Sequence, residues 1–464
     1  MKTQFSLFVF MFITVSPVAH GTVVTTFLDE DDGGLGGGYG ISLREAVRYS
    51  ASESTITFAP GLSGQTIRLP LGPLQIFKSL TIDASSLPGG LTLSADRTGN
   101  GKTADDTYVL LCSVGDLLLN SLTLTDANCG ESAGCIKAYD NAQVALTLDH
   151  CTLTGNSGYH GAALYAYAYG SGSSITIRNS TFAQNSAVKG AAGINSYGFA
   201  VTIQNSTFTG NSGGAVYFSN GSLSINHATI SGNTATSSGG GIFSLDPFSL
   251  QNSIVAGNTA PSAPNISGTF TGSHNLTSGS PRLAPLGDYG GPTKTMPPVP
   301  GSPAINAAWP PILTTDQRGF FQENDVPDIG AAEYQAAAEL RRYWNLDFDG
   351  DGSPFGIEVG LDTDPLVPDA TSPRNLTVST LDPFGHPVIH FGYGSLPPYF
   401  SAEWVLKRSS TLSPGSFQEI YRFSSDSAAP QPGITYRRDS SGDTVTDTTA
   451  PAGGAFYRIE GISP

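Results

Sequence analysis

The chain has 464 residues, a formal charge of −16, only 13% charged residues and 56 glycines. That length leaves room for several domains. The acidity argues against a nucleic-acid partner, which wants a basic stripe, and the glycine content with abundant Ser and Thr suits short strands and tight turns better than helices.

Met1-Lys2 supplies a positive start, and Leu7 to Val18 is an apolar run interrupted only by Thr14, Ser16 and Pro17. Ala19-His20-Gly21 then places small residues ahead of a cut before Thr22. Residues 1–21 therefore read as an export signal, too short for a stable membrane span. The mature protein is expected to be secreted, either free outside the cell or held at its surface. Thr22 to Leu28 reads as a strand and Asp29 to Gly38 as an acidic glycine loop. Ser42 followed by Glu45 forms a capping box, so a short helix starts there and can plug the first rung of a stacked structure. Thr55–Phe58, Thr66–Leu69, Leu74–Ile76 and Leu80–Asp83 are short strands between Gly/Pro turns.

Cys112, Cys129, Cys135 and Cys151 all fall in the front half. An even count in an exported chain allows disulfides of unassigned connectivity, and buried free thiols are the other reading.

From residue 155 one phrase recurs: Gly155-Asn156-Ser157, Gln184-Asn185-Ser186, Gly210-Asn211-Ser212, Gly232-Asn233-Thr234 and Gly257-Asn258-Thr259. The asparagines are 29, 26, 22 and 25 residues apart, and an alternating strand precedes each. Such a period without helical spacing is the mark of a β-solenoid. The asparagines are expected to stack on successive coils and bond one another and the turn backbone.

Ser42-Leu-Arg-Glu-Ala-Val47 and this ladder resemble the CSLREA-type proteins of bacterial export. Pro285-Leu286, Asp288-Tyr-Gly-Gly-Pro-Thr293, Pro300 to Asn306, Asp316 to Gly319 and Asp328 to Glu333 resemble the closing segment of choice-of-anchor Q proteins. The chain departs from the pattern at Ile41, where cysteine is frequent. The resemblance covers residues 22–334 and implies an all-β fold: a single-stranded right-handed parallel β-helix at 22–280, with its N-terminal capping helix, and a closing segment at 281–334. It implies export and brings no catalytic residues. Residues 335–371 read as a helix, from Ala336 to Leu346, running into a calcium-loop linker. Residues 372–464 read as a small β-sandwich, with strands at Val388–Phe391, Glu403–Lys407, Phe417–Tyr421 and Phe456–Ile459.

Three constellations carry candidate chemistry. Asp347, Asp349 and Asp351, with Gly352, Ser353 and Glu358, fit the twelve-residue EF-hand calcium loop. Calcium wants hard oxygens, which the three aspartates, the Ser353 carbonyl and the Glu358 carboxylate supply. Asp362 and Asp364 stand by as further donors. A structural site of weak extracellular affinity, roughly 10⁻⁴–10⁻³ M, is expected. Next come the strands that follow the turns. If Leu164, Ile194, Val216 and Ile242 point inward, alternation sends Tyr165, Tyr217 and Phe243 out in one column and Tyr167 and Tyr197 in its neighbour. Flat rings with phenol hydroxyls suit pyranose faces, so the expected partner is a polysaccharide or cell-surface component. The third is an alternative catalytic cluster of Asp149, His150 and Lys189, near His160. A lyase needs a base and a calcium-binding carboxylate cluster, and an inverting hydrolase a carboxylate pair. Between Ile136 and Ser280 the acids are only Asp140, Asp149 and Asp246 and the bases Lys137, Arg178 and Lys189. The sequence therefore favours a structural or adhesion-type binding protein over a polysaccharide lyase or glycoside hydrolase. Asp316-Gln317-Arg318 with Asp328 and Glu333 is expected to fix irregular backbone.

Overall fold

A computed structural model describes residues 21–334, apart from 104–105, 131–133, 140–141, 171, 300, 311–313 and 322–325, and beyond 376 eight strands with Thr448. The chain divides into two compact units, Met1–Gly279 and Ser280–Pro464.

The first unit is a parallel β-solenoid of about 7 turns. Each coil lays two short strands, or one long strand spanning both places, on a sixteen-stranded sheet, and another on an eight-stranded sheet, while a three-stranded sheet of short segments lines the corner between them. All these pairings are parallel and close to one residue per residue: Leu146 sits on Ile175, Ile175 on Val201 and Val201 on Leu223. The sixteen-stranded sheet begins as two limbs, such as Ser174–Arg178 and Thr181–Ala183. They fuse where Ala200–Thr209 and Ser222–Ser231 run through the bend without interruption. The bend is made by residues in the left-handed region: His150 (φ 51°), Asn179 (52°), Asn205 (42°), His227 (48°) and Asn252 (49°). Asn tolerates that conformation better than most residues with a side chain.

Alternation along the strands fills the core. Leu110, Ile136, Leu164, Ile194, Val216 and Ile242 form one inward column of the eight-stranded sheet and are all buried. Opposite them Leu124, Leu153, Phe182, Phe208 and Ile230 are equally buried, with the Phe182 and Phe208 rings stacked 4.7 Å apart. The expected ladder is present inside the coil. Asn156 Nδ2 donates to Asn185 Oδ1 at 3.0 Å, Asn185 to Asn211 at 2.9 Å, Asn211 to Asn233 at 2.8 Å and Asn233 to Asn258 at 2.9 Å. Each amide also donates to a backbone carbonyl of the preceding coil, as Asn211 does to Phe182 O at 2.9 Å. None of the five is more than 7% exposed, so a role as surface ligands is ruled out.

The helix Leu43–Tyr49 closes the first coil with Leu43, Ala46 and Val47 buried. Its capping box is complete: Glu45 N donates to Ser42 Oγ at 3.1 Å and Ser42 N to Glu45 Oε2 at 2.9 Å. Glu45 is fully buried and its second oxygen accepts from Asp32 N at 2.9 Å, tying the acidic loop to the helix. All four cysteines are buried free thiols. Burial pushes the Cys112, Cys129 and Cys151 thiols up to about 12 and Cys135 well above its ordinary value.

The second unit opens with irregular chain held by polar side chains. Asp316 accepts from the backbone of Arg318, Phe320 and Glu333 at 2.8, 3.0 and 3.0 Å and pairs with the Arg318 guanidinium. Asp328 accepts from Asn306 N and Tyr334 N. This group is the backbone anchor expected of it. Two four-stranded antiparallel sheets follow: Thr377–Leu381, Pro387–Phe391, Gly442–Asp447 and Ile434–Asp439 in one, Ala428–Pro430, Gln418–Ser424, Glu403–Ser409 and Phe456–Ile462 in the other.

Candidate functional site

The outward face of the eight-stranded sheet carries the tyrosines. Because the strands pair in register, Tyr139, Tyr167 and Tyr197 fall in one column on three successive coils, followed by Ser219. The neighbouring column reads Lys137, Tyr165, Asn195, Tyr217 and Phe243. Two expectations change here. Tyr165 does not stack on Tyr217, because Asn195 stands between them, 7% exposed and packed against Gly190. Tyr217 and Phe243 alone continue as a parallel pair, 5.4 Å apart and inclined by 5°. The first column gains Tyr139, which aligns as Ile136-Lys-Ala-Tyr139 against Leu164-Tyr-Ala-Tyr167. That alignment was the signal to look for, but this strand precedes the first asparagine phrase.

Ring geometry corrects the notion of exposed flat faces. Tyr167 and Tyr197 have centroids 4.9 Å apart and planes 14° from parallel. Parallel rings that close cannot lie side by side, so their faces overlap in an offset stack. Tyr139 lies 6.1 Å from Tyr167 at 15° on the other side. Tyr167 also meets Tyr169 edge-on at 4.9 Å and 79°. The column therefore presents ring edges and hydroxyls to solvent, with open faces only at its ends. All these rings except Tyr169 are half-buried.

Two lysines bracket the field. The Lys137 ammonium lies 5.8 Å from the Tyr139 ring centre, and Lys189 lies 5.6 Å from that of Tyr159. Tyr159 meets His160 edge-on at 4.7 Å, and His160 lies 6.3 Å from Tyr165. One contiguous set of rings thus runs from one ammonium to the other. Burial, more than the charge of Lys189, lowers the His160 pKa. The hydrogen bond of Tyr167 with Tyr169, together with burial, raises the Tyr167 phenol to about 12, and burial raises Tyr165. Both phenols stay neutral donors across the physiological range.

The alternative cluster does not assemble. Asp149 lies on the sixteen-stranded sheet, in register with Arg178 of the next coil, whose Nε meets Asp149 Oδ2 at 2.9 Å. His150 Nδ1 lies 2.9 Å from Asp149 Oδ1, and Asn179 Nδ2 donates to the same oxygen at 3.0 Å. Burial raises the Asp149 carboxyl, but these bonds and the His150 and Arg178 charges outweigh it and hold it down at about 2. Lys189 instead follows the strand Ser186–Ala187 of the three-stranded sheet and faces Tyr159. Asp149 and Arg178 form a rung-to-rung ion pair.

Asp347, Asp349, Asp351, Ser353 and Glu358 lie outside the described residues, as does Asp140. Among the described residues no group of three or more His, Cys, Asp or Glu side chains could hold a metal ion, and no helix is long and apolar enough to cross a membrane.

No family model and no curated protein matches the chain. Among solved structures it is similar to pectate lyase Pel9A, at 14% sequence identity and a TM-score of 0.35, covering 68% of this chain and 96% of that one. A likeness of that degree carries no argument about the site.

Proposed function

We propose that this chain is an exported β-solenoid protein of the CSLREA and choice-of-anchor Q type, without catalytic activity, that binds a glycan or a neighbouring cell surface. The binding face is the tyrosine field of the eight-stranded sheet. The observation that carries this reading is the in-register column Tyr139, Tyr167 and Tyr197, flanked by Tyr165 and followed by Tyr217 and Phe243. Rings fixed on a sheet lose little further freedom on binding, and neutral phenol hydroxyls make directional bonds to sugar hydroxyls. The leader at residues 1–21 supports export. Catalysis by the alternative route would ask Asp149 to act as acid, base or ligand while both its oxygens are already engaged.

The loop from Asp347 to Glu358 adds a structural calcium site on the chemistry of its donors: three carboxylates at alternate positions, a backbone carbonyl and a closing glutamate. Calorimetry on chelated protein should show calcium binding that vanishes in Asp349→Ala.

Glycan-array binding by the purified chain tests the main claim. Binding that falls at least about tenfold in a Tyr167→Ala/Tyr197→Ala double variant with unchanged thermal stability supports it. Undiminished binding sinks it, as would release of reducing or unsaturated sugar ends that Asp149→Ala abolishes.

A further inference from the structure

Resting on the glycan reading, we infer that the ligand is a linear anionic polysaccharide lying along the solenoid axis, with about one sugar unit to each coil.

Direction follows from register. Tyr139, Tyr167 and Tyr197 succeed one another across strands, on three neighbouring coils, and the column shifts by one outward position to Tyr217 and Phe243 on the next two. A chain lying along a strand would meet the rings of that coil alone, such as Tyr165 and Tyr167. A chain crossing the strands meets a ring on every coil from 139 to 243. Neighbouring strands lie about 4.8 Å apart, close to the advance of an extended pyranose chain per unit. The rings thus succeed one another at about the period of the polymer, the four tyrosines among them with hydroxyls and Phe243 without, and ring edges rather than faces suffice to read it. Ser219 follows Tyr197 in the first file and Asn195 precedes Tyr217 in the second, so the track changes file between Tyr197 and Tyr217.

Charge selects the class. The chain carries a formal −16, yet this field is bracketed by the Lys137 and Lys189 ammonium groups. No carboxylate occupies an outward position on the strands Ile136–Tyr139, Leu164–Tyr167, Ile194–Tyr197, Val216–Ser219 and Ile242–Ser244. Both lysines sit over ring faces beside the track, where they can meet a carboxylate or sulfate on every second or third sugar. A neutral chain would offer neither ammonium group a counter-charge. The excess negative charge elsewhere repels an anionic polymer from the rest of the surface and confines it to this strip.

Calorimetry with glucose oligomers and with glucuronate oligomers of the same linkage, from dimers to heptamers, tests the inference, with sulfated oligomers as a third arm that separates carboxylate from sulfate. Affinity should rise with each added unit up to about five, one for each ring-bearing coil at strand spacing. The anionic series should bind about 3- to 10-fold tighter than the neutral one, as expected for two exposed ion pairs. A Lys137→Gln/Lys189→Gln double variant should lose that preference while still binding neutral oligomers, which also reports that it is folded. Equal affinity for neutral and anionic series, or affinity saturating at the dimer, overturns this inference and leaves the glycan reading standing. Binding of no oligomer in any arm overturns both.

Discussion

Gln184 shows what the turn before each asparagine demands of a single residue. The position that precedes the ladder asparagine has φ of 69° at Gly155, 64° at Gly210, 73° at Gly232 and 71° at Gly257, and 57° at Gln184. Glycine takes this region freely, whereas a side chain costs about 1–2 kcal/mol there. Gln184→Gly should therefore raise stability, by about 1 kcal/mol once the added freedom of the unfolded chain is discounted. A chemical-denaturation midpoint that stays put or falls would refute this. Asp149 is a residue-scale matter too. Its folded carboxyl is held at about 2, below the ordinary 3.8, so its contribution is present above about pH 4 and is lost as the pH falls through 2. Solvent reaches the half-exposed Arg178, which limits the effect to about 1 kcal/mol. Asp149→Asn should lower stability by that amount near neutral pH, with the gap closing at pH 2. A constant gap across that range would mean that the charge is not the cause.

At the scale of the element, the asparagine ladder acts as one continuous part of the core. Asn211 accepts from Asn185 N at 3.2 Å and from Asn185 Nδ2 at 2.9 Å while donating to Phe182 O and Asn233. Asn211→Ala removes a buried partner from Asn185 and Phe182 on the preceding coil and from Asn233 on the next and should cost about 3 kcal/mol, read as a lowered unfolding midpoint. Five ladder positions were legible from the repeat because every coil needs the same turn. The ladder's end was not. Asn258 donates to Asn265 at 3.3 Å, only 7 residues later, because the last turn doubles back and leaves the period. The tyrosine columns were half legible for a related reason. Alternation places Tyr165, Tyr167, Tyr197, Tyr217 and Phe243 outward, but the sequence cannot say which residues share a column until the register is known. That register set Asn195 between Tyr165 and Tyr217 and brought in Tyr139.

For the whole molecule, a solenoid is a sum of coils, each stabilised by its neighbours. Excising residues 180–205, one full coil by the 26-residue step from Ser180 to Ser206, rejoins Asn179 to a residue of matching place. The shortened protein should fold, keep its β-sheet circular dichroism and unfold cooperatively. Removing half that length should not give a folded product, because every later inward side chain would change face. If both deletions behave alike, coils are not the folding units.

By itself the sequence determined the coiled architecture, the inward residues of the repeats, the capping box and the buried asparagine file. These arise from local period and alternation, which are properties of the chain's own order. Only the tertiary structure decided which outward residues meet: Asp149 with Arg178 rather than Lys189, Lys137 with Tyr139, and Tyr rings stacked on one another rather than laid open. Apart from Lys137 and Tyr139, which share a strand, those contacts join residues one coil apart, and coil lengths differ along the chain. The neighbour across a coil is therefore fixed by hydrogen-bonded register, which no local pattern contains.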